Sequence, residues 1–279
     1  MIEADLHIHS FHSDGIYAPS RVVEMAAAAG LSAMALTDHD TVDGVEEAVR
    51  AAPAGFEVIA GLELSSVYRG REIHLLVYHL DQRDPAVKAF LEPLREDRRL
   101  RAERIVARLN ASGVAVTMAE VIEIAGAGGV AAAIGRPHIA DAIVRHGAAR
   151  DIDDAFVRYL RRGQPGYVAR ACVPVSDAVA FVHARGAALV VAHPALNLGE
   201  SDTEALAREG LDGIEVWHPS HSEDQRGRLL RMTSRLGILA TGGSDYHGPG
   251  RNRHEIASAG VAMSTVQALR ERAGQQQTS

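Results

Sequence analysis

Ile2-Glu3-Ala4-Asp5-Leu6-His7-Ile8-His9-Ser10 reads as a short apolar strand that ends in two histidines. Residues two apart on a strand point to the same side. His7 and His9 therefore converge from one strand end as a chelating pair, and the rest of the chain brings further polar residues to strand ends in the same way. A polar loop with Asp14-Gly15 follows, then a helix that opens at Pro19 and stops at Gly30. A buried strand over 33–37 runs into Asp38-His39-Asp40, a helix covers 43–52, and strands over 57–66 and 72–79 carry Glu63 and His74. This alternation predicts a parallel sheet with helical crossovers.

The pattern breaks at residue 81. A long charged helical stretch over 84–110 is followed by helices over 118–125, 137–146 and 152–162, with no convincing strand. Alternation resumes at Tyr167. An apolar strand over 188–192 ends at His193-Pro194, one over 213–217 ends at His218, and one over 238–241 runs into Asp245-Tyr246-His247. The expected organisation is a barrel domain from 1–80 and 167–279, interrupted by an all-helical insert over 81–166. Without the insert the chain is shorter than the about 250 residues of a regular eight-unit barrel. Fewer or irregular units are expected.

Composition narrows the function classes. The 279 residues are 47% hydrophobic, enough for a substantial core, and the net charge is −7. An acidic chain is a poor match for gripping nucleic acid by its backbone, so no DNA partner is expected. A small anionic substrate stays open, because bound metal reverses the local sign. Cys172 is the sole cysteine, the first residues show no basic start with an apolar core so no signal peptide is expected, and no apolar run approaches the about 18 residues of a membrane span. A cytoplasmic protein without a membrane partner is the expectation, with its oligomeric state undetermined.

His7, His9, His39, Glu63, His193, Asp245 and His247 all sit at or just past the end of an apolar strand, with His74 inside a strand and Asp14 in the first loop. In a parallel barrel these strand ends form the catalytic face. A lone histidine at a strand end is more often a hydrogen-bonded core or surface residue, but the repetition calls for a common cause, and metal coordination supplies one. Imidazole and carboxylate suit Zn, Mn or Fe. Nine ligands exceed what one ion takes, so a site of two or three ions with Glu63 as bridge is expected.

With its His7-Ile-His9, Asp14-Gly15, Thr37-Asp38-His39, Glu63, His74, Ala192-His193-Pro194 and Gly243-Ser-Asp245-Tyr-His247 motifs, the sequence resembles the PHP (polymerase and histidinol phosphatase) family over nearly its whole length. That resemblance implies a distorted (β/α)7 barrel with three divalent metal ions, Mn²⁺ first, with Zn²⁺ or Fe²⁺ as alternatives. It implies that His7, His9, Glu63 and Asp245 hold one ion, Glu63, His74 and His193 the second, and Asp14, His39 and His247 the third. It also implies phosphoester hydrolysis. The insert, with Gly135-Arg136-Pro137-His138 and Tyr167-Val-Ala-Arg170, is similar to that of stand-alone members acting on 3′,5′-nucleoside bisphosphates and, in relatives, on short RNA from the 5′ end. The competing expectations are a histidinol-phosphate phosphatase or general phosphomonoesterase, and a non-catalytic PHP module of the kind attached to DNA polymerases. The wider amidohydrolase superfamily bridges two metals with a lysine on a barrel strand, and the one lysine here, Lys88, falls in the insert.

The expected chemistry is metal-assisted hydrolysis of a phosphomonoester, with Asp245 orienting the nucleophile or taking its proton and either a histidine near the third ion, such as His247, or a bridging water there protonating the leaving oxygen. Arginine suits phosphate because its planar fork binds two oxygens at once. Arg101 and Arg104, three apart on a helix, are expected to share a face and to form with Arg136, His138 and Arg170 a pocket for a second phosphate. The bland alternative for the helix arginines is a solvated face paired with Glu92, Glu96 and Glu103.

Overall fold

Apolar runs of four to twelve residues build the wall of the molecule, and their ends position the polar residues. The computed structural model describes residues 2–126 and 134–276. The first part of the chain runs β1 (Ala4–Ile8), α1 (Pro19–Ala28), β2 (Ala33–Leu36), α2 (Val45–Ala51), β3 (Glu57–Tyr68) and β4 (Arg71–Tyr78). Four helices follow: α3 (Pro85–Ala111), α4 (Met118–Ala125), α5 (Arg136–Arg145) and α6 (Ile152–Ala155), the last continued by a π-helical turn over Phe156–Leu160. The chain then runs through β5 (Val173–Pro174), α7 (Val175–His183), β6 (Ala188–Val191), α8 (Pro194–Asn197), α9 (Glu200–Ala207), β7 (Gly213–Trp217), α10 (Glu223–Leu236), β8 (Leu239–Gly242) and α11 (Met263–Gln276).

Seven strands form one path in the order β1-β2-β3-β4-β6-β7-β8, with the two-residue β5 beside β3. A parallel bridge from Ile8 to Tyr246 and an antiparallel one from Ala4 to Val261 draw the two ends of the path together. The result is a nearly closed barrel-like sheet of mixed α/β type. The expectation of a wholly parallel sheet is corrected at one strand. β4 is antiparallel to both β3 and β6. Arg69 and Gly70, both at positive φ, turn the chain straight back into a hairpin, leaving no room for a crossover helix. The helix expected over 152–162 is also corrected, splitting into an α turn and a π turn.

Alternate residues separate the cores. A large cluster packs strand residues such as Met34, Leu36, Leu64 and Leu189 against the surrounding helices, and includes Val87, Leu91 and Leu94 from the first half of α3. A second cluster, built around Ile105 and Leu109 with Val121, Ile139, Ile143 and Leu160, joins the second half of α3 to α4, α5 and the π turn. A third packs Ala4, Leu6, Ala188 and Val190 with Val266 and Leu269 of α11. The 27-residue α3 thus belongs to two cores, with Asp84 capping its start by accepting from Ala86 N–H. No described helix is long and apolar enough to cross a membrane.

Candidate metal centre

Glu63 is the hub. It sits within β3, 1% exposed, with five imidazoles around its carboxylate. Its Oε2 lies 3.3 Å from His7 Nε2, 3.2 Å from His9 Nε2 and 3.1 Å from His39 Nδ1. Its Oε1 faces His74 Nδ1 at 2.6 Å and His193 Nε2 at 3.1 Å. Burial opposes ionisation of Glu63, but His39, His74 and His7 overcome it and hold the carboxyl well below the usual range. The antiparallel course of β4 explains His74. Its early residues stand at the end where the parallel strands finish, with His74 opposite Ser65.

Asp245 approaches from the loop after β8. Its Oδ1 lies 3.3 Å from His7 Nε2 and 3.4 Å from His9 Nε2. Gly243 allows that approach, because a Cβ there would stand 2.4 Å from His7 N. Asp245, Asp40 and His193 all have positive φ, at 53°, 53° and 29°. Three non-glycine residues in that region, each after a strand, are backbone strain held in place by their surroundings. Asp14 and His247 complete the cluster, with Asp14 Oδ1 3.2 Å from His247 Nε2.

Donor atoms of the described residues fall into three overlapping groups around Glu63 and Asp14, namely His7, His9, Glu63 and Asp245; His39, Glu63 and His74; and His9, Asp14, His39 and His247; a fourth, His218, Asp245 and His254, lies on the other side of Asp245, and each is within 4.8 Å. The first matches the set implied by the family resemblance. In the second, His39 takes the place expected of His193, whose Nε2 still faces Glu63. His39 lies between two groups because Nδ1 faces Glu63 and Nε2 faces Asp14 at 3.8 Å.

The donors fit divalent ions. Donors about 2.1 Å from a shared ion at tetrahedral vertices stand about 3.4 Å apart. The four measured His–carboxylate separations in the first group are 3.2 to 3.4 Å. His7 Nε2, His9 Nε2, Asp14 Oδ1, His39 Nδ1, Glu63 Oε2, His74 Nδ1 and His193 Nδ1 are buried without a hydrogen bond of usable geometry. Buried polar atoms are rarely left so, and all of these except His193 Nδ1 face one another around Glu63 and Asp14. A carboxylate oxygen facing imidazole lone pairs is stable only with a cation or protons between them.

A group of arginines stands beside these donors. Arg98 donates to Asp40 through Nε at 2.9 Å, with Nη2 2.8 Å away, and Arg170 Nη2 reaches the same oxygen at 3.2 Å. Arg170 Nη1 lies 3.3 Å from His74 Nε2. Arg101 is 6% exposed, donates Nε–H to Val168 O, and has Nη2 buried without a partner. Burial, reinforced by Arg136 and Arg170, pushes its pKa down to about 10. Arg136 lies over the Phe156 ring. A cavity of about 620 Å³ is lined by His74, Arg136 and Arg170 and extends past Tyr167 to Arg161 and Arg162.

Three expected pocket residues do not line that cavity: Arg101, held under it by its bond to Val168 O, and Arg104 and His138. Arg104 is exposed and pairs with Asp97 at 2.9 Å. Three residues advance a helix by about 300°, and the edge of the buried stripe of α3 falls between Arg101 and Arg104. His138 is 2% exposed, and its Nδ1 accepts from Gly135 N–H, which commits that atom to the start of α5. Burial pushes its pKa down to about 4.

A model of the PHP domain matches residues 5–161. The chain belongs to the PHP family. A 3′,5′-nucleoside bisphosphate phosphatase of Chromobacterium violaceum is 34% identical over 262 residues, covering 92% of this chain and 91% of that protein. A 5′-3′ exoribonuclease of Haemophilus influenzae is 33% identical over 251 residues, covering 88% and 90%. Among solved structures, a candidate metal-dependent phosphoesterase from Bifidobacterium adolescentis aligns with a TM-score of 0.88 at 31% identity, over 96% of each chain.

Some residues of this PHP site escape sequence reading. Asp38 accepts from Ser10 N–H at 2.7 Å and from the Ser10 and Ser13 hydroxyls, and Ser13 Oγ lies 3.4 Å from His9 Nδ1. His218 accepts Ser220 N–H on Nδ1, so Nε2 carries the proton and faces Asp245 Oδ2 at 3.4 Å. Glu215 lies fully buried in the middle of β7. A charged residue inside the apolar run Gly213-Ile-Glu-Val-Trp217 was the available signal.

Proposed function

We propose that this PHP chain is a metal-dependent phosphatase that removes the 3′-phosphate of nucleoside 3′,5′-bisphosphates, such as adenosine 3′,5′-bisphosphate, to leave AMP and phosphate. One observation carries the reading: buried arginines with too few carboxylates stand directly against the donor cluster, joined to it where Arg170 meets His74 at 3.3 Å. A substrate with two phosphates satisfies both regions. The bisphosphate phosphatase of C. violaceum, similar over nearly the whole chain, supports the same substrate class.

Up to three divalent ions, with Mn²⁺ preferred, would be held by these three donor groups, two of which share Glu63, with His193 beside the second. When bound, they would supply Lewis-acid polarisation of the phosphoryl group and a lowered pKa for water. The side chains do the remaining work. Burial opposes its ionisation, but His7 and His247 keep Asp245 an anion, able to take a proton from the attacking water at Oδ2. His218 Nε2–H steadies that oxygen. His247 holds Asp245 O through Nδ1 at 2.9 Å, which leaves Nε2 as a lone-pair donor toward Asp14 and argues for a ligand rather than a proton donor. Arg136 and Arg170 would grip the second phosphate, with residues 81–166 acting as a substrate cap.

The cavity also favours a second reading. Arg161 and Arg162 line its outer part and have no ion-pair partner among the described residues. A short RNA entering 5′ end first would lay its next phosphates there, in keeping with the exoribonuclease of H. influenzae. The deciding measurement is phosphate release from adenosine 3′,5′-bisphosphate with added Mn²⁺, beside AMP, histidinol phosphate and a 5′-phosphorylated oligoribonucleotide. Release from the bisphosphate with AMP as product is expected. Release from histidinol phosphate alone would refute the second-phosphate pocket.

A further inference from the structure

Glu215 makes two contacts that neither the sheet nor the phosphate chemistry requires. It projects from β7, and its side chain is fully buried. Its Oε1 lies 2.9 Å from His7 Nδ1. Its Oε2 accepts the backbone N–H of His193 at 2.6 Å. A buried carboxylate in a strand is costly unless its hydrogen bonds are made, and here both oxygens are used on donor-bearing residues of β1 and of the turn after β6.

Each contact fixes one histidine. An acceptor on Nδ1 requires His7 to carry a proton there, so the neutral ring, the form that binds metal, presents its Nε2 lone pair toward Glu63 and Asp245. At His193 the backbone lies at φ 29°, a conformation a non-glycine residue holds only under constraint. The bond from its N–H to Glu215 supplies that constraint, and from there the ring reaches Glu63 Oε1 at 3.1 Å.

We propose that Glu215 is a positioning residue that sets two donor histidines at once, so that metal binding at His7 and metal binding near His193 are coupled through one carboxylate. The proposal rests on the metal reading of the cluster around Glu63. Carboxylates that orient metal-bound histidines change metal affinity by about 10- to 100-fold when replaced. The effect here should be larger in scope than in depth, because one residue serves two donor groups.

Glu215→Gln is nearly isosteric and separates the contacts. The amide oxygen can accept from His7 or from His193, but the amide nitrogen can only donate. If the oxygen stays with His193, the NH₂ group faces His7 Nδ1 and drives the proton to Nε2, which removes that donor. If the oxygen stays with His7, two N–H groups face each other at His193 and its backbone conformation is released.

The test is Mn²⁺ titration of chelator-stripped full-length protein, wild type against Glu215→Gln, followed by electron paramagnetic resonance of free Mn²⁺, with the metal count after dialysis and thermal melts of both stripped proteins. We expect at least two binding events to weaken together by about 10- to 100-fold, while the stripped proteins melt within a few degrees of each other. Unchanged affinity and metal count would overturn the proposal and leave the metal reading intact. Weakening confined to one event would overturn the coupling. A wild type that binds no divalent ion would sink the metal reading and this proposal with it. If the variant fails to fold, the nitrogen-15 spectrum of the Zn²⁺-loaded wild type decides: a proton on Nδ1 of His7 supports the role, and one on Nε2 refutes it.

Discussion

The barrel end and the adjoining helices leave opposite electrostatic debts. At the strand ends, six imidazoles and three carboxylates gather on Glu63 and beside it, and seven of their buried atoms have no usable hydrogen bond. Beside them, Arg98, Arg101, Arg136 and Arg170 crowd together, with Asp40 bonded to two of the four. The first region gathers lone pairs, and the second sets four arginines against two carboxylates, Asp40 and Glu72. They meet at Arg170 and His74, so the missing charges belong in adjacent places. A phosphate ester on divalent ions, with a second phosphate on the arginines, answers both at once. Either deficit alone could be met by protons or by loose counterions; their contact gives the comparison its force.

The comparison breaks most sharply at Asp245. Replacing it by Asn keeps the shape but removes the charge that faces His7, His9 and His218. We expect kcat for the bisphosphate to fall by at least about a thousandfold, with the circular dichroism spectrum unchanged. Near-normal turnover would remove Asp245 from the chemistry.

A second break tests whether the helices form a separate unit. Leu109 is fully buried in the cluster of α3, α4, α5 and the π turn. Leu109→Ala should cost about 3 kcal/mol of stability and lower kcat/KM for the bisphosphate, while bound metal stays at the wild-type count. Loss of metal in step with stability would show that α3, which packs in both cores, ties the two regions into one.

How much of this was legible beforehand follows the same division. The strand-end histidines were readable because period-two geometry puts His7 and His9 on one side and the same ending recurs on strand after strand. His7, His9, Glu63 and Asp245 come together as the family resemblance implied. The direction of β4 was not legible. Tyr68-Arg69-Gly70-Arg71 shows only a short turn, and parallel alternation was extended across it. Arg104 departs from the expected pocket because a three-residue spacing leaves two side chains about 60° apart, far enough for one to be buried and the other solvated. The roles of Glu215 and Asp38 do not show in the sequence, because their partners, His7 and Ser13, lie far along the chain or act through a hydroxyl. Contacts of that kind exist only once the barrel has closed.

Arg136 sharpens the comparison from the side of the helices. It lies half-buried against Phe156, so removing it leaves no buried partner unpaired. Hydrogen bonds to charged groups are worth about 1.5–3 kcal/mol. Arg136→Ala should therefore reduce kcat/KM for the bisphosphate by about 10- to 100-fold and that for a simple monophosphate by much less. Equal losses would place the arginine outside any second-phosphate pocket.

The smallest effect is expected at the far edge of the helices, where the comparison predicts independence from the site. Thr117 caps α4: its Oγ1 accepts from Glu120 N–H, and the Glu120 carboxylate accepts the Thr117 N–H at 2.8 Å. Thr117→Ala should destabilise the protein by about 1 kcal/mol, with kcat, KM and metal count unchanged. The Thr117 hydroxyl and backbone, with His146, hold the Glu120 carboxyl down at about 2. A carboxyl depressed in the folded state contributes fully above its unfolded pKa near 4.5 and loses that contribution as the pH falls toward about 2. The difference in melting temperature between wild type and Thr117→Ala should thus be greatest near neutral pH and narrow below about 4.5. A gap that widens with acid would mean that the cap is held by something other than the carboxylate. A change in KM would mean that α4 reaches the site through α5, and that the division between the two regions is less complete than their separate cores imply.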